Sequence, residues 1–194
     1  ASFPPPFPSP TRVLGDATPY SGEFGISKNP ESFASENYRA YFTDKQRGAV
    51  LRLSKDGLTA ISDHGMTDWF RDNLLLSDTL IGGFDIQKRE YNLTLPDIVK
   101  TLSFKEDVRG WVSFKTINPE DALSLNNEYY TAMRGRLWKH HDNSVDRNSF
   151  YDTSGAITNS SSITVLFNDL PSVVKSFTTL NYEGSQSNVV QNLA

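Results

Sequence analysis

Apolar and polar residues alternate most clearly between Tyr38 and Ser62. Tyr38, Ala40 and Phe42 alternate with Arg39, Tyr41 and Thr43, and Val50, Arg52 and Ser54 alternate with Leu51 and Leu53. A period of two belongs to half-buried strands. Lys45–Gly48 and Lys55–Gly57 supply the turns, since glycine takes positive φ without a steric cost and Asp-Gly suits tight hairpins. The pattern predicts strands over 38–44, 49–54 and 58–62. So short a meander cannot bury both faces alone, so it must pack on further sheet, as a blade or as one sheet of a sandwich. Its edges, 38–44 or 58–62, are expected to meet strands from elsewhere in this chain or from another.

Beyond the meander the period changes to that of a helix. Thr67 is the expected N-cap, Asp68 suits the first turn, and Trp69, Phe70 and Leu74 share one face, so a short helix is predicted over Thr67–Leu74. Strands resume over 79–84 and 90–95, the second ended by Pro96. They continue over 101–104, 111–117, 128–133 and 136–140, with Arg134-Gly135 as a two-residue turn, and close with 162–167 and 176–182. Gly82-Gly83 reads as a strand bulge. Asn118–Asn127 reads as loop, and 142–161 as a long polar loop. Asp169–Pro171 reads as a short turn or helix.

The fold class expected is all-β, mostly antiparallel meanders of propeller-like or sandwich type, with the one short helix. Residues 1–37 form a Pro- and Gly-rich arm and loop, in which either Phe3 and Phe7 anchor the arm on a neighbour or the terminus is floppy. Residues 38–184 form the β-rich domain, either incomplete propeller blades or a sandwich, and 185–194 a polar tail. No strict internal period supports a closed propeller.

Composition narrows the function. The 194 residues carry a net charge of −4 with scattered Lys and Arg, so no basic stripe is available for phosphates and nucleic-acid binding is not expected. No apolar run approaches the roughly 20 residues that span a bilayer, so no membrane role is expected. Cysteine is absent, which removes disulfides and thiolate chemistry. The chain starts at Ala1 without Met, which suggests a piece of a longer polypeptide.

Candidate chemistry is thin. His140-His141-Asp142, with Asp146 nearby, is the best metal candidate, yet adjacent strand residues point to opposite faces and do not converge on one ion. Asp85, Glu90, Glu106, Asp107, Glu120 and Asp121 could supply a glycosidase pair, but all fall at predicted turns, where solvation alone explains them. Trp69, Trp111 and Trp138 could stack on sugars, although Trp111 and Trp138 in strands, and Trp69 docking the helix, fit a core better. Gly82-Gly83 lacks the strand–loop–helix context of a phosphate cradle. Asn92-Leu-Thr94 and Asn159-Ser-Ser161 match a glycosylation pattern that is frequent by chance. The expectation is that no catalytic, cofactor or metal residues are present and that the chain is not an enzyme.

Longer runs carry a resemblance. Gly22-Glu-Phe-Gly-Ile-Ser-Lys-Asn-Pro-Glu-Ser-Phe-Ala34, Tyr38-Arg-Ala-Tyr-Phe-Thr-Asp-Lys45, Leu51–Leu58, Gly110–Phe114, Leu123–Tyr130, Leu166–Asn168 and Lys175–Gln186 resemble segments of virion structural proteins of tailed bacteriophages. The likeness covers most of the chain from Gly22 onward. It is nearest to tail-associated, muzzle-like proteins of crAss-like phages and to similar proteins of marine tailed phages. It implies a fragment of a larger protein, located in the phage tail. It further implies a structural role exercised through assembly contacts with other tail proteins, with the rest of its own polypeptide or with copies of itself. A host-surface glycan binder, or a glycan-degrading tail module, is the alternative from a different class.

Overall fold

Three antiparallel meanders follow one another in the computed structural model, which describes residues 22–145, 148–151, 162–164, 171–176 and 178. The first sheet orders β1 (Ala34–Ser35), β2 (Ala40–Asp44), β3 (Ala49–Ser54) and β4 (Gly57–Ala60). The second orders β5 (Ile81–Asp85), β6 (Glu90–Leu95), β7 (Lys100–Lys105) and β8 (Gly110–Lys115). The third places β10 (Glu128–Met133) between β9 (Asp121–Leu125) and β11 (Arg136–Lys139). Among the described residues a single α-helix, α1 (Thr67–Asn73), is present, between the first two sheets in sequence. The expected all-β class with one short helix is what the structure shows, and none of the three sheets closes into a barrel.

The chain divides into two units, Ala1–Asn159 and Ser160–Ala194, and every sheet belongs to the first. In the second, residues 171–172 form a turn, and 162–164 and 174–176 have no regular structure. The arm over 1–10, the polar tail and most of the strands expected over 162–167 and 176–182 lie outside the described residues.

The core forms where the first two sheets and α1 meet. Tyr41 stacks between Phe84, at 5.7 Å, and Tyr91, at 5.0 Å. Phe70 and Leu74 on one helical face bury against Ile61, Leu93, Leu102 and Phe104 within the same apolar cluster, with Trp69 and Trp111 packed at its margin. Each such side chain contributes about 1.5–3 kcal/mol on burial, so this cluster dominates stability. Polar clamps join the sheets around it. Glu106, in the β7–β8 turn, accepts from Tyr41 Oη and Arg52 Nη1 of the first sheet, both at 2.9 Å. Trp111 Nε1 donates to the Ile61 carbonyl at 3.0 Å.

Several local expectations change. Thr67 is the first helical residue instead of the N-cap. The Met66 carbonyl already accepts Phe70 N at 3.0 Å, which moves the helix start one residue earlier. The 38–44 edge meets a strand of this chain, as expected, but that strand, β1, pairing Ala34 with Tyr41 and Ser35 with Ala40, lies inside a segment read as loop. Ile61 and Ser62, expected as the end of a strand, turn within the 3-10 segment Ile61–Asp63.

Gly82-Gly83 is no bulge. Both residues pair in register with Leu93 and Asn92, and the irregularity lies between Ser103 and Phe104 instead. The two glycines admit neighbours: a Cβ on Gly82 would sit 1.9 Å from the Ser32 carbonyl oxygen, and one on Gly83 would sit 2.5 Å from Ala122 Cβ. Ala122 belongs to β9, a strand within the stretch read as loop. Its inward positions are the small Ala122 and Ser124 while Leu123 and Leu125 face outward, which inverts the usual pattern. Asn126 and Asn127, at φ 51° and 61°, make the two-residue turn into β10.

Candidate functional site

A recurring hairpin turn builds the site. Asp44 ends β2, Asp85 ends β5, and each is followed by a four-residue turn whose last residue, Gly48 or Arg89, has positive φ. In both turns an aspartate oxygen accepts the backbone N–H three residues on, from Arg47 at 3.2 Å and from Lys88 at 3.1 Å. The second oxygen then holds a distant segment. Asp44 Oδ2 accepts Gly25 N at 3.0 Å, and the Ser27 hydroxyl bonds Oδ1. Burial alone would raise the Asp44 pKa, but these donors together hold it below the ordinary carboxylate value.

Asp85 Oδ2 accepts from His141 Nε2 at 2.6 Å across 56 residues of sequence. That contact fastens the segment after β11, and Tyr151 returns to the inner side of the third sheet, against Thr131 and Trp138. Between β11 and the residues after it lies a cleft of about 610 Å³, with Lys88 of the β5–β6 turn on its wall. Ligand clefts commonly fall between about 300 and 1,000 Å³.

The floor of the cleft is a hydrogen-bonded relay. His140 N extends the β10–β11 ladder to the Tyr129 carbonyl at 2.9 Å, and its ring lies 5.2 Å from that of Tyr129. Its Nε2 meets Thr131 Oγ1 at 2.7 Å, and Thr131 Oγ1 meets Tyr151 Oη at 2.9 Å. Burial, reinforced by the neighbouring His141, pulls the His140 pKa down to about 4, so the ring is neutral at pH 7. A phenol donates better than it accepts. In the direction this favours, with Tyr151 donating to Thr131 and Thr131 to His140 Nε2, the proton of the neutral ring sits on Nδ1. Among the described residues Nδ1 makes no hydrogen bond, and His140 is part of the cleft wall.

The candidate residues separate clearly. His140 and His141 commit their Nε2 atoms to Thr131 and Asp85. Among the described residues no group of three or more His, Cys, Asp or Glu is placed to hold a metal, and Asp146 lies outside them. The carboxylates are tied to donors: Asp85 as above, Glu90 to Lys115 at 3.3 Å, Glu106 to Tyr41 and Arg52, Glu120 to Arg134 N at 3.0 Å, and Asp121 to Ala122 N at 2.7 Å. Asp107 is exposed on its turn. Thr131, whose hydroxyl meets the His140 ring, is fully buried and bonded on both sides, so it has no path to a substrate.

Of the tryptophans, Trp69 and Trp111 pack against the core, as expected. Trp138 does not fill it. Half-buried, it donates to the Met133 carbonyl at 3.3 Å, meets Tyr151 edge-on at 5.5 Å and lines the cleft. Asn92 is buried in β6 and bonded to Ser103 and Lys115, so it is closed to glycosylation in the folded chain, while Asn159 lies outside the described residues.

Sequence reading missed Thr131, Tyr151, Lys88 and Asn143. Only the alternation of β10, which puts Thr131 opposite both Trp138 and Ala122, carried a signal for any of them. No family model matches the chain, and no curated protein matches it either.

Proposed function

We propose that this chain is a structural module of a tailed-phage virion, working through assembly with further copies of itself and with other tail proteins, and not through catalysis. The observation that carries the reading is the outer face of the third sheet. Cross-strand partners share a face, so Leu123, Tyr130 and Lys139 stand together, as do Ala132 and Leu137, and Leu125 with Glu128. Leu125 and Leu137 are each 64% exposed and Leu123 40%. Exposed apolar groups clustered on one sheet face mark an interaction surface. Covering each leucine contributes about 1.5–3 kcal/mol, enough in sum to drive association.

Two further features support it. Val112 and Phe114 are exposed on β8, an edge strand of the second sheet, which offers a second contact surface. Two four-stranded meanders followed by a three-stranded one also form a blade-like succession in need of neighbours, which suits a propeller-like wall element. The likeness of Gly22–Ala34 and Tyr38–Lys45 to tail-associated phage proteins supplies the setting.

Sedimentation velocity over a concentration series tests the assembly. The wild-type chain is expected to associate, and a Leu123→Ser, Leu125→Ser, Leu137→Ser variant to remain monomeric. A wild-type chain that stays monomeric throughout overturns self-assembly. Mass spectrometry of purified phage particles tests the setting, with peptides of this chain expected at structural abundance. Their absence removes the virion assignment.

A further inference from the structure

We propose that the cleft between β11 and residues 142–145 and 148–151 is a binding site for a neutral carbohydrate, with a pyranose face against Trp138 and Tyr151 and its hydroxyls on His140 Nδ1, Asp142 and Asn143. This site is on the inner side of the third sheet and is independent of the leucine face used for assembly.

The lining has the two halves that sugar recognition needs. A pyranose presents an apolar patch of ring C–H groups and a rim of hydroxyls that both donate and accept. Trp138 and Tyr151, edge to face at 5.5 Å, supply half-buried aromatic surface within a concave wall, with Phe150 beside them. Around it stand a donor, His140 Nδ1–H, and an acceptor, Asp142. Asp142 Oδ1 is occupied by Ser144 N at 2.8 Å and Ser144 Oγ at 2.7 Å, and its Oδ2 makes no hydrogen bond among the described residues. Asn143 adds an amide that donates and accepts at once.

The charge balance selects a neutral ligand. Lys139 is paired with Glu128, and His141 with Asp85. His140 is neutral, which leaves Lys88 and Asp142 as opposite charges on the lining. Among the described residues no concentration of positive charge remains for a phosphate, sulfate or sialic acid. The site is also held in shape before any ligand arrives. The His141–Asp85 bond pins one end of the segment and the Tyr151–Thr131–His140 relay pins the other, so little ordering cost falls on binding.

The test is saturation-transfer NMR on the full chain. The probes are neutral mono- and disaccharides (glucosides, galactosides, mannosides and N-acetylhexosaminides), with N-acetylneuraminic acid and glucose 6-phosphate as anionic comparators. Transfer to the ring protons of at least one neutral sugar is expected, and Trp138→Ala and Asn143→Ala should each weaken its binding about tenfold. Asn143 lies on the exposed segment and carries no core contact, so its variant keeps the test valid if Trp138→Ala fails to fold. Binding by none of the neutral probes, binding confined to the anionic ones, or unchanged binding in Asn143→Ala overturns the proposal.

Discussion

Asn29 pairs with Leu80 as a strand residue would: its Oδ1 accepts Leu80 N and its Nδ2 donates to Leu80 O, both at 3.0 Å. A side-chain amide thus replaces one rung of a ladder and ties the segment before β1 to the entrance of β5. The same segment is fixed twice more. Ser32 Oγ donates to the Asn29 carbonyl at 2.8 Å, and Tyr91 Oη donates to the Ser32 carbonyl at 2.7 Å.

Replacing Asn29 should therefore cost more than an ordinary loop substitution. Asn29→Ala leaves a buried N–H and a buried C=O of Leu80 unpaired, at about 1–3 kcal/mol each. Asn29→Asp keeps the acceptor but sets a carboxylate oxygen against the Leu80 carbonyl, so it should be at least as damaging at neutral pH. Urea denaturation of both variants measures this. A loss below about 1 kcal/mol would mean that water replaces the amide at no penalty.

The contact of Gly83 with Ala122 invites a double-mutant cycle. Gly83→Ala places its new methyl 2.5 Å from Ala122 Cβ and 3.0 Å from Tyr129 Oη, an overpacking expected to cost about 1–3 kcal/mol. Ala122→Gly alone should cost about 0.5–1 kcal/mol through backbone entropy. The double variant should be more stable than the sum of the two, since one methyl then occupies the space of the other. Strict additivity would show that Tyr129, not Ala122, sets the clash. Gly82→Ala, aimed at the Ser32 backbone oxygen, should exceed Gly83→Ala in cost because a carbonyl fixed by Tyr91 cannot yield.

How far the sequence discloses this arrangement depends on which residues carry each element. The meander from Ala40 to Ala60 was legible through its period of two and its turns at Gly48 and Gly57, but not its buried face: Tyr41 and Thr43 bury while Tyr38 is exposed, and the adjacent Val50 and Leu51 are both buried. β9 was not, because a strand laid against glycines needs small inward residues, and Ala122 and Ser124 carry no hydrophobic signal. Asn126-Asn127 was the available cue, as two residues that accept positive φ. The turn after Asp44 was legible through Gly48, but the spacing that Asp44 and Asp85 share, four residues before a left-handed position, was not, because Arg89 gives no such cue. What each aspartate grips, Gly25 or His141, is a tertiary fact with no local signature. The cleft was illegible for the same reason, since it joins Lys88, Trp138 and Tyr151 from three separate segments.

Glu106, one of the carboxylates with catalytic potential in sequence, is expected to behave as a structural clamp. Its partners Tyr41 and Arg52 come from the first sheet, and Arg52 Nε is already buried without a partner. Glu106→Ala would leave the Arg52 charge half-buried and uncompensated, at about 3–5 kcal/mol for a buried pair and less here because both side chains retain some exposure. Glu106→Gln keeps one acceptor oxygen and should cost less than the alanine variant. Thermal denaturation of the two variants gives the order. Equal, negligible losses would show that the clamp is solvent-screened.

His140 should impose an acid limit on stability. Its pKa is about 4 in the fold against 6.5 in an unconstrained chain. Between those values the unfolded state binds a proton that the folded state does not, so stability rises with pH through this window. The contribution is therefore complete above about pH 6.5, is lost as pH falls toward about 4, and changes no further below that. The groups that act on the ring are His141, Lys115 and Lys88, which disfavour its charge, and Asp85, which favours it, while Tyr129 and Thr131 crowd it without charge at these pH values. The interval from 6.5 to about 4, at about 1.4 kcal/mol per pH unit, amounts to about 3 kcal/mol. Urea midpoints for wild type and His140→Gln, taken from pH 7.5 to 4, read this directly. The wild type should lose stability more steeply than the variant across the window, because the amide offers Thr131 an acceptor but binds no proton. Parallel curves would place the acid sensitivity elsewhere, and a steeper curve for the variant would reverse the sign assigned to His140.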